Sequence, residues 1–316
     1  MNLDSKIYVA GHRGLVGDAV LRLLRARGFH NIVTATSAEM DLTKPDLVRW
    51  FFSVHNIEYV FLCAAHVGGI LANDTNRVEF LLKNLAIQTN VITNAAAYGV
   101  KKLLFLGSSC IYPRGAAQPI RPEALLTGAF EDTTEAYGIA KVAGIRLCQY
   151  LRDEQGKNFI CAQPCNLYGP GDRFDAARSH VVPGLVTRMH RAKELHMPEL
   201  DVWGDGTARR ELLYADDLAV ALLFLMHAYD GREVVNTGSS DEWTIKAIAD
   251  EVRRVVGYEG TLFFDDSKPT GVPRKVLDNS FIRGLGWRPK VAFPEGLEKT
   301  YQGYLKRLAG VGQNPS

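Results

Sequence analysis

Short apolar runs alternate with longer stretches in which apolar residues recur every three or four positions, and this alternation organises the first half of the chain. IYVAG (7 to 11) reads as a strand, GDAVLRLLRARG as a helix closed by Gly28, and NIVTAT as a second strand. LVRWFFSVHN reads as a helix, and EYVFLCAA, nearly all apolar, suits a strand covered on both faces. A long helical pattern from Thr75 to Tyr98, ended by Gly99, leads into KKLLFLGSS, another buried strand. A second long helix is expected from Glu135 to Gln155, followed by the strand FICAQP and the loop NLYGPGDRF. Strands alternating with helices predict βαβ units, and right-handed crossovers then place helices on both faces of a parallel sheet. The expected fold class is α/β, a Rossmann-type doubly wound parallel sheet with a smaller C-terminal α/β substrate lobe.

Past NLYGPGDRF the alternation loosens, with Gly, Pro and Trp punctuating MPELDVWGDGTARRELLYADD. That shift predicts a nucleotide-binding domain over residues 1–170, its sheet completed by later segments, and a mainly substrate-binding lobe over 171–316. The polar end GVGQNPS is expected to fray.

Composition narrows the function classes. At 316 residues and 47% hydrophobic, the chain can bury a full core. Its 37 basic and 35 acidic residues are interspersed, so neither a nucleic-acid nor a membrane surface is indicated, while small anionic ligands stay open. Five cysteines, at 63, 110, 148, 161 and 165, show no metal-ligand spacing and read as free thiols in a reducing compartment. The opening MNLDSKIYVAG has no basic region followed by a long apolar core, and no apolar run reaches a membrane span, so a cytoplasmic protein is expected.

Gly11, Gly14 and Gly17, in GHRGLVG, follow the first strand and open the first helix. Glycines there permit a tight turn, close backbone approach to a pyrophosphate and close helix packing, which predicts a dinucleotide site. The end of the second strand normally selects the cofactor, an acid for the NAD ribose or an arginine for a 2′-phosphate. Thr34, Ala35, Thr36 and Ser37 are neither. Arg13 is the nearby cation, and either it pairs with a 2′-phosphate or it is a solvated loop residue. NADP is favoured on this reading, with NAD not excluded.

Tyr137 and Lys141, in YGIAK, share one face of the expected helix. A cation beside a phenol favours the phenolate, so a lowered tyrosine pKa is expected. Ser108, at the end of the preceding strand, is placed to hydrogen-bond a carbonyl that Tyr137 protonates as hydride arrives. In the same stretch, GSSCIYP, Cys110 reads on its own first as a small buried hydrophobe, with proton exchange as the minority reading.

The glycine turn with the Ser and Y-x-x-x-K set resembles the extended short-chain dehydrogenase/reductase family. AAHVGGI, FLGSSCIYP, NLYGPGDRF, SHVVPGL, WGDG, Asp216 with Asp217, and SKPTGVPRK are similar to the branch that converts GDP-4-keto-6-deoxy-mannose to GDP-L-fucose by 3,5-epimerisation and NADPH-dependent 4-reduction. The resemblance implies that Cys110 and His180 exchange protons at C3 and C5, while Ser108, Tyr137 and Lys141 serve the reduction. It implies an NADP site built from Gly11, His12, Arg13, Gly14, Leu15, Val16, Gly17, Leu106, Gly107, Lys141, Pro164, Asn166, Leu167 and His180. It implies a GDP-sugar pocket with Asn166, Arg188, Trp203, Arg210 and Lys275, and a homodimer joined through the helices near 75 to 98 and 135 to 155.

The chain departs from the family's pattern in lacking an arginine at Thr34 to Ser37, in carrying Thr270 where aspartate is usual, and in the run Gln163, Pro164, Cys165, Asn166. Two other readings stay open: an epimerase/reductase or plain C4 reductase for a related GDP-4-keto-deoxy sugar, a dideoxyhexose or heptose, and a noncatalytic NADP-binding regulator. A 4,6-dehydratase is disfavoured, because Ser109, Cys110 and Ile111 stand where an acidic pair is needed.

Overall fold

A computed structural model describes residues 1–175, 179–268 and 271–310. The first lobe runs β1 (Ile7–Ala10), α1 (Leu15–Ala26), β2 (Ile32–Val33), α2 (Pro45–His55), β3 (Tyr59–Leu62), α3 (Ile70–Thr75), α4 (Arg77–Ala97), β4 (Lys102–Leu106), α5 (Glu135–Gln155) and β5 (Phe159–Pro164). There follow β6 (Asn166–Tyr168), α6 (Val181–Glu194), β7 (Glu199–Trp203), β8 (Arg209–Tyr214), α7 (Ala215–Ala228), β9 (Val235–Thr237) and β10 (Glu242–Thr244). The chain closes with α8 (Ile245–Val256), β11 (Thr261–Asp265), β12 (Arg274–Lys275), α9 (Ser280–Gly284) and α10 (Phe293–Leu308).

Six strands form one parallel sheet in the order β2-β1-β3-β4-β5-β9. The α/β class read from the sequence therefore holds. Strand order reverses between β1 and β3, which opens a crevice at their C-terminal ends, where ligands of doubly wound sheets bind. α1 packs with α7, and α4 with α2 and α5. Leu103, Leu104 and Phe105 of β4 are wholly buried, each gaining roughly 2 kcal/mol by leaving water.

Around β8 a smaller sheet gathers: β10 antiparallel and β12 parallel along its first half, β6 parallel along its second. β7 and β11 pair separately. A second apolar cluster, including Val186, Met189, Ile248, Val252 and Leu297, fills the space between α6, α8, α10 and these strands.

Several boundaries differ from the sequence pattern. β2 stops at Val33, because Thr36 and Glu39 close a turn by exchanging hydrogen bonds, Glu39 Oε2 accepting from Thr36 N at 2.7 Å and Thr36 Oγ1 from Glu39 N at 3.3 Å. The pattern from Thr75 to Tyr98 is cut at Asn76, whose amide caps Ala72 O at 3.0 Å, so α3 and α4 are separate. Asn166 to Tyr168, expected as loop, is a strand because β8 supplies its partner. Thr270 and the tail from Val311 lie outside the described residues.

Asp172, in the turn after β6, is buried, with Oδ2 lacking any partner while Oδ1 accepts from Arg173 N at 2.8 Å. Burial raises its carboxyl from 3.8 to about 7, against weaker lowering by the Arg173 hydrogen bond and Arg307. A carboxyl that holds its proton more tightly when folded stabilises the fold below about pH 4 and loses that contribution as pH rises through about 7. Asp172→Asn should therefore melt higher than the parent at pH 8, by roughly 2 to 4 kcal/mol at most. The gain should fade toward pH 4; a melting difference independent of pH between 4 and 8 contradicts this.

Candidate active site

Where β4 ends, the chain makes a tight passage. A Cβ on Gly107 would lie 1.8 Å from Gln163 Oε1, so only glycine lets the Gln163 amide lie across the strand end. That oxygen accepts the Ser108 N–H at 2.8 Å. Ser109–Ile111 then form one turn of 3-10 helix capped by Ser108, whose Oγ accepts the Cys110 N–H at 3.3 Å. The strand read through KKLLFLGSS therefore ends at Leu106, and a turn capped by Ser108 brings the side chains of Ser108 and Cys110 together.

α5 starts at Glu135, carries an acid in its first turn and Arg152 in its last, and ends at Gly156 with φ 65°. Two glycines inside it, each costing up to about 1 kcal/mol against alanine, let it lie close to β4. A Cβ on Gly144 would lie 2.6 Å from the Phe105 ring, and one on Gly138 would lie 2.8 Å from Cys110 O. Tyr137 and Lys141 are thereby pressed against the end of β4.

Lys141 is buried and donates to Leu106 O at 2.8 Å. Burial lowers its pKa to about 8. Its ammonium is 5.7 Å from the Tyr137 ring centre and 4.7 Å from that of Phe105. The lowered tyrosine pKa expected from the sequence is not found: burial first, then the charge on Cys110, raises Tyr137, and the Ser108 hydroxyl only partly offsets them. The reason is geometric, since Lys141 is spent on a backbone carbonyl and is itself easily neutralised. A phenol that stays protonated is suited to donate a proton.

Cys110 shows the opposite balance. Burial alone would push its thiol up, but the Lys275 ammonium, with the hydroxyls of Ser108 and Thr134, brings it below its usual value. Lys275 Nζ lies 3.6 Å from Cys110 Sγ. His180 stands at the N-cap position of α6 without a side-chain cap bond and keeps an exposed edge, while the protein around its ring, and then Lys275, lower its pKa. Ser108, Cys110, Tyr137 and Lys141 are thus together, and Lys275 links Cys110 to His180.

The dinucleotide residues lie around the crevice. Gly11 has φ +82°, and a Cβ there would sit 2.7 Å from the Ala64 backbone. On Gly17 a Cβ would meet Gly11 O at 2.1 Å, whereas on Gly14 its nearest neighbour would be 3.4 Å away. Gly11 and Gly17 are therefore required by the turn, while Gly14 leaves the start of α1 open, with no side-chain cap there. His12 Nδ1 is buried without a partner. These features fit a bound dinucleotide phosphate. Leu15 and Val16 form the first turn of α1, Pro164 ends β5, and Asn166 and Leu167 lie on β6. Arg13 is exposed and close enough to Glu39 to lower that carboxyl, after its stronger hydrogen bonds from Thr36.

The substrate residues fall into two groups. Arg188 on α6 donates to Asp201 O of β7, the strand that ends at the exposed Trp203. Arg210 on β8 is the register partner of Lys275 on β12. Sequence reasoning missed Thr134, Gln163, Glu39 and Glu211. Gln163 had one signal, a polar residue inside the apolar strand FICAQP; Thr134, Glu39 and Glu211, the last preceded by two arginines, had none. Glu211 is wholly buried and accepts from Ser240 N at 2.6 Å, Leu277 N at 2.8 Å and Asn279 Nδ2 at 2.7 Å.

Known proteins resemble this chain over nearly its whole length. The chain is 53% identical over 305 residues to GDP-L-fucose synthase 1 of Arabidopsis thaliana, covering 96% of this chain and 94% of that protein. Its structure is similar to a GDP-6-OMe-4-keto-L-xylo-heptose reductase from C. jejuni, with a TM-score of 0.93, 34% identity and coverage of 97% and 99%. It is also similar to a GDP-L-fucose synthetase from Naegleria fowleri bound to NADP, with a TM-score of 0.90, 28% identity and coverage of 98% and 96%. The profile of the NAD dependent epimerase/dehydratase family matches residues 7–238, and the chain belongs to that family.

Proposed function

We propose that this chain converts GDP-4-keto-6-deoxy-mannose to GDP-L-fucose by epimerisation at C3 and C5 and NADPH-dependent reduction at C4, in one site. The observation that carries the reading is the meeting of two proton-transfer sets around the Ser108 turn: a protonated Tyr137 and an acidified Cys110. The relative at 53% identity bears the name of that activity.

The ketone serves both chemistries. Hydrogens on carbons beside it are acidic because the electron pair left behind delocalises onto oxygen, so one group removes a proton and another returns one to the opposite face. Cys110 and His180 are assigned to that exchange, Ser108 to hydrogen-bonding the C4 oxygen, and Tyr137 to protonating it. NADPH, when bound, supplies the hydride. The start of α1, with Gly14 and Arg13, is assigned to its phosphates, and Lys141, Asn166 and Leu167 to its nicotinamide end. Arg188, Trp203 and Arg210 are assigned to the GDP-sugar, guanidinium groups suiting a diphosphate through paired hydrogen bonds.

Five free thiols suit a reducing compartment such as the cytoplasm, and among the described residues no helix is long and apolar enough to cross a membrane. A homodimer is proposed through α4 and α5, which pack side by side and leave Val78, Leu82, Ile139 and Tyr150 exposed. No contact with nucleic acid is proposed.

In deuterated water, mass spectrometry and NMR of the product should find deuterium at C3 and C5 with the parent. Cys110→Ser and His180→Gln should lose epimerisation and keep some C4 reduction. Tyr137→Phe should slow NADPH oxidation by on the order of 10²- to 10⁴-fold while exchange into the substrate persists. Unlabelled product from the parent would sink the epimerase assignment and leave a plain reductase of the heptose kind.

Arg13→Ala should raise the KM for NADPH about tenfold or more, with little change for NADH, because only the former carries a 2′-phosphate. Equal effects on both cofactors remove Arg13 from that role. Sedimentation should give twice the chain mass, and Leu82→Arg should halve it; a parent that sediments as one chain refutes the dimer.

A further inference from the structure

Among the described residues Lys275 forms no ion pair with a carboxylate, unlike Arg274, the other residue of its strand. Arg274, beside it on β12, pairs with Glu242 at 2.8 Å, whereas Lys275 turns toward the cleft and meets the Cys110 sulfur at 3.6 Å. This approach is built in. Ile120 and Leu277 form a parallel bridge, Ile120 N donating to Val276 O and Asp278 N to Ile120 O, both at 2.8 Å. Val276 N donates to Gln118 Oε1 at 2.9 Å, and Leu277 N to the buried Glu211 at 2.8 Å. Asn236 Nδ2 donates to Ile120 O at 2.9 Å, and Tyr112 O–H to Asn236 Oδ1 at 2.6 Å. The segment that follows Cys110 is therefore stitched to the residues just after Lys275.

Resting on the epimerase reading above, we propose that Lys275 is a positioning residue for proton exchange, its ammonium making Cys110 the group that removes the substrate proton and His180 the group that returns one. This differs from a diphosphate clamp, the part its positive charge first suggests. In the exchange a C–H bond beside the ketone breaks and an S–H bond forms, with the electron pair moving to the C4 oxygen as an enolate. A proton from His180 then forms a new C–H bond on the other face and restores the ketone. Solvent resets both groups, and no redox partner is involved.

The groups facing Cys110 are Ser108 after β4, Thr134 before α5, Tyr137 on α5 and Lys275 on β12, and of these Lys275 is the cation. It favours a bare sulfur, and it makes a protonated His180 a readier donor. Because both groups are shifted the same way, removing the charge moves both limbs of the pH profile together. A clamp on the diphosphate would change KM and leave the profile in place.

The test uses the full chain and two readouts. In the first, iodoacetamide labels the substrate-free protein across pH, with the Cys110 peptide followed by mass spectrometry. Lys275→Met should move the inflection of Cys110 labelling up by about one pH unit or more, and Lys275→Arg should restore most of it. In the second, deuterium incorporation at C3 and C5 is measured against pH. The optimum should move to higher pH in Lys275→Met, with C4 reduction of a substrate that needs no epimerisation unmoved on the pH axis. An unmoved labelling inflection, or a raised KM with an unmoved profile, overturns the proposal. Since the labelling needs no substrate, loss of the epimerase reading and loss of the Lys275 pairing register separately.

Discussion

How closely α5 can lie against the end of β4 decides the rest of the site. Gly138 and Gly144 are poor choices for a helix interior, yet each stands where a side chain would strike the turn at Cys110 or the ring of Phe105. Gly107 plays the same part on the other side, admitting the Gln163 amide. With these three positions empty, Lys141 reaches the carbonyl that ends β4, Tyr137 meets Ser108, and the Cys110 turn rests on the helix. A methyl at Gly138 moves all of them at once, because the obstacle is backbone and has no rotamer in which to retreat.

The two proposed chemistries have different mechanical foundations. The groups assigned to reduction, Ser108, Tyr137 and Lys141, all belong to the large sheet and the helix on its face. The groups assigned to proton exchange do not. Cys110 is in the first lobe, His180 opens α6, and Lys275 lies on a two-residue strand held by β8, by Glu211 and by the Ile120–Leu277 bridge. Glu211 is wholly buried, and its carboxylate is satisfied by two backbone N–H groups and the amide of Asn279, a partnering that makes a buried acid tolerable. Its role is to fix the seam on which the sulfur and the ammonium meet.

The parallel sheet was legible because buried strands such as EYVFLCAA and KKLLFLGSS are nearly continuous apolar runs, and the helix from about Glu135 to Gln155 was legible because its ends carry helix signals. KKLLFLGSS read as a strand to its end, but a capped turn and not that strand joins Ser108 to Cys110. What stayed hidden depends on distant partners: β6 needs β8, and the pairing of Lys275 with Cys110 spans 165 positions of sequence. The direction of the Tyr137 shift was also out of reach. It turns on where Lys141 spends its ammonium, and a spacing of four residues cannot say.

Charge on the sulfur also bears on the order of the two reactions. A carbon reduced at C4 no longer acidifies its neighbours, so on the proposed reading epimerisation must come first. Burial first, and then negative charge on Cys110, raises Tyr137 and holds the phenolic proton in place. Ser108 sits between them, accepting from the Cys110 backbone and facing the phenol, so the group that binds the ketone is also within reach of both charges. The opposed shifts of Cys110 and Tyr137 meet at one turn: burial holds the phenolic proton in place and charge on the sulfur adds to it, while at the sulfur the Lys275 ammonium and nearby hydroxyls outweigh burial.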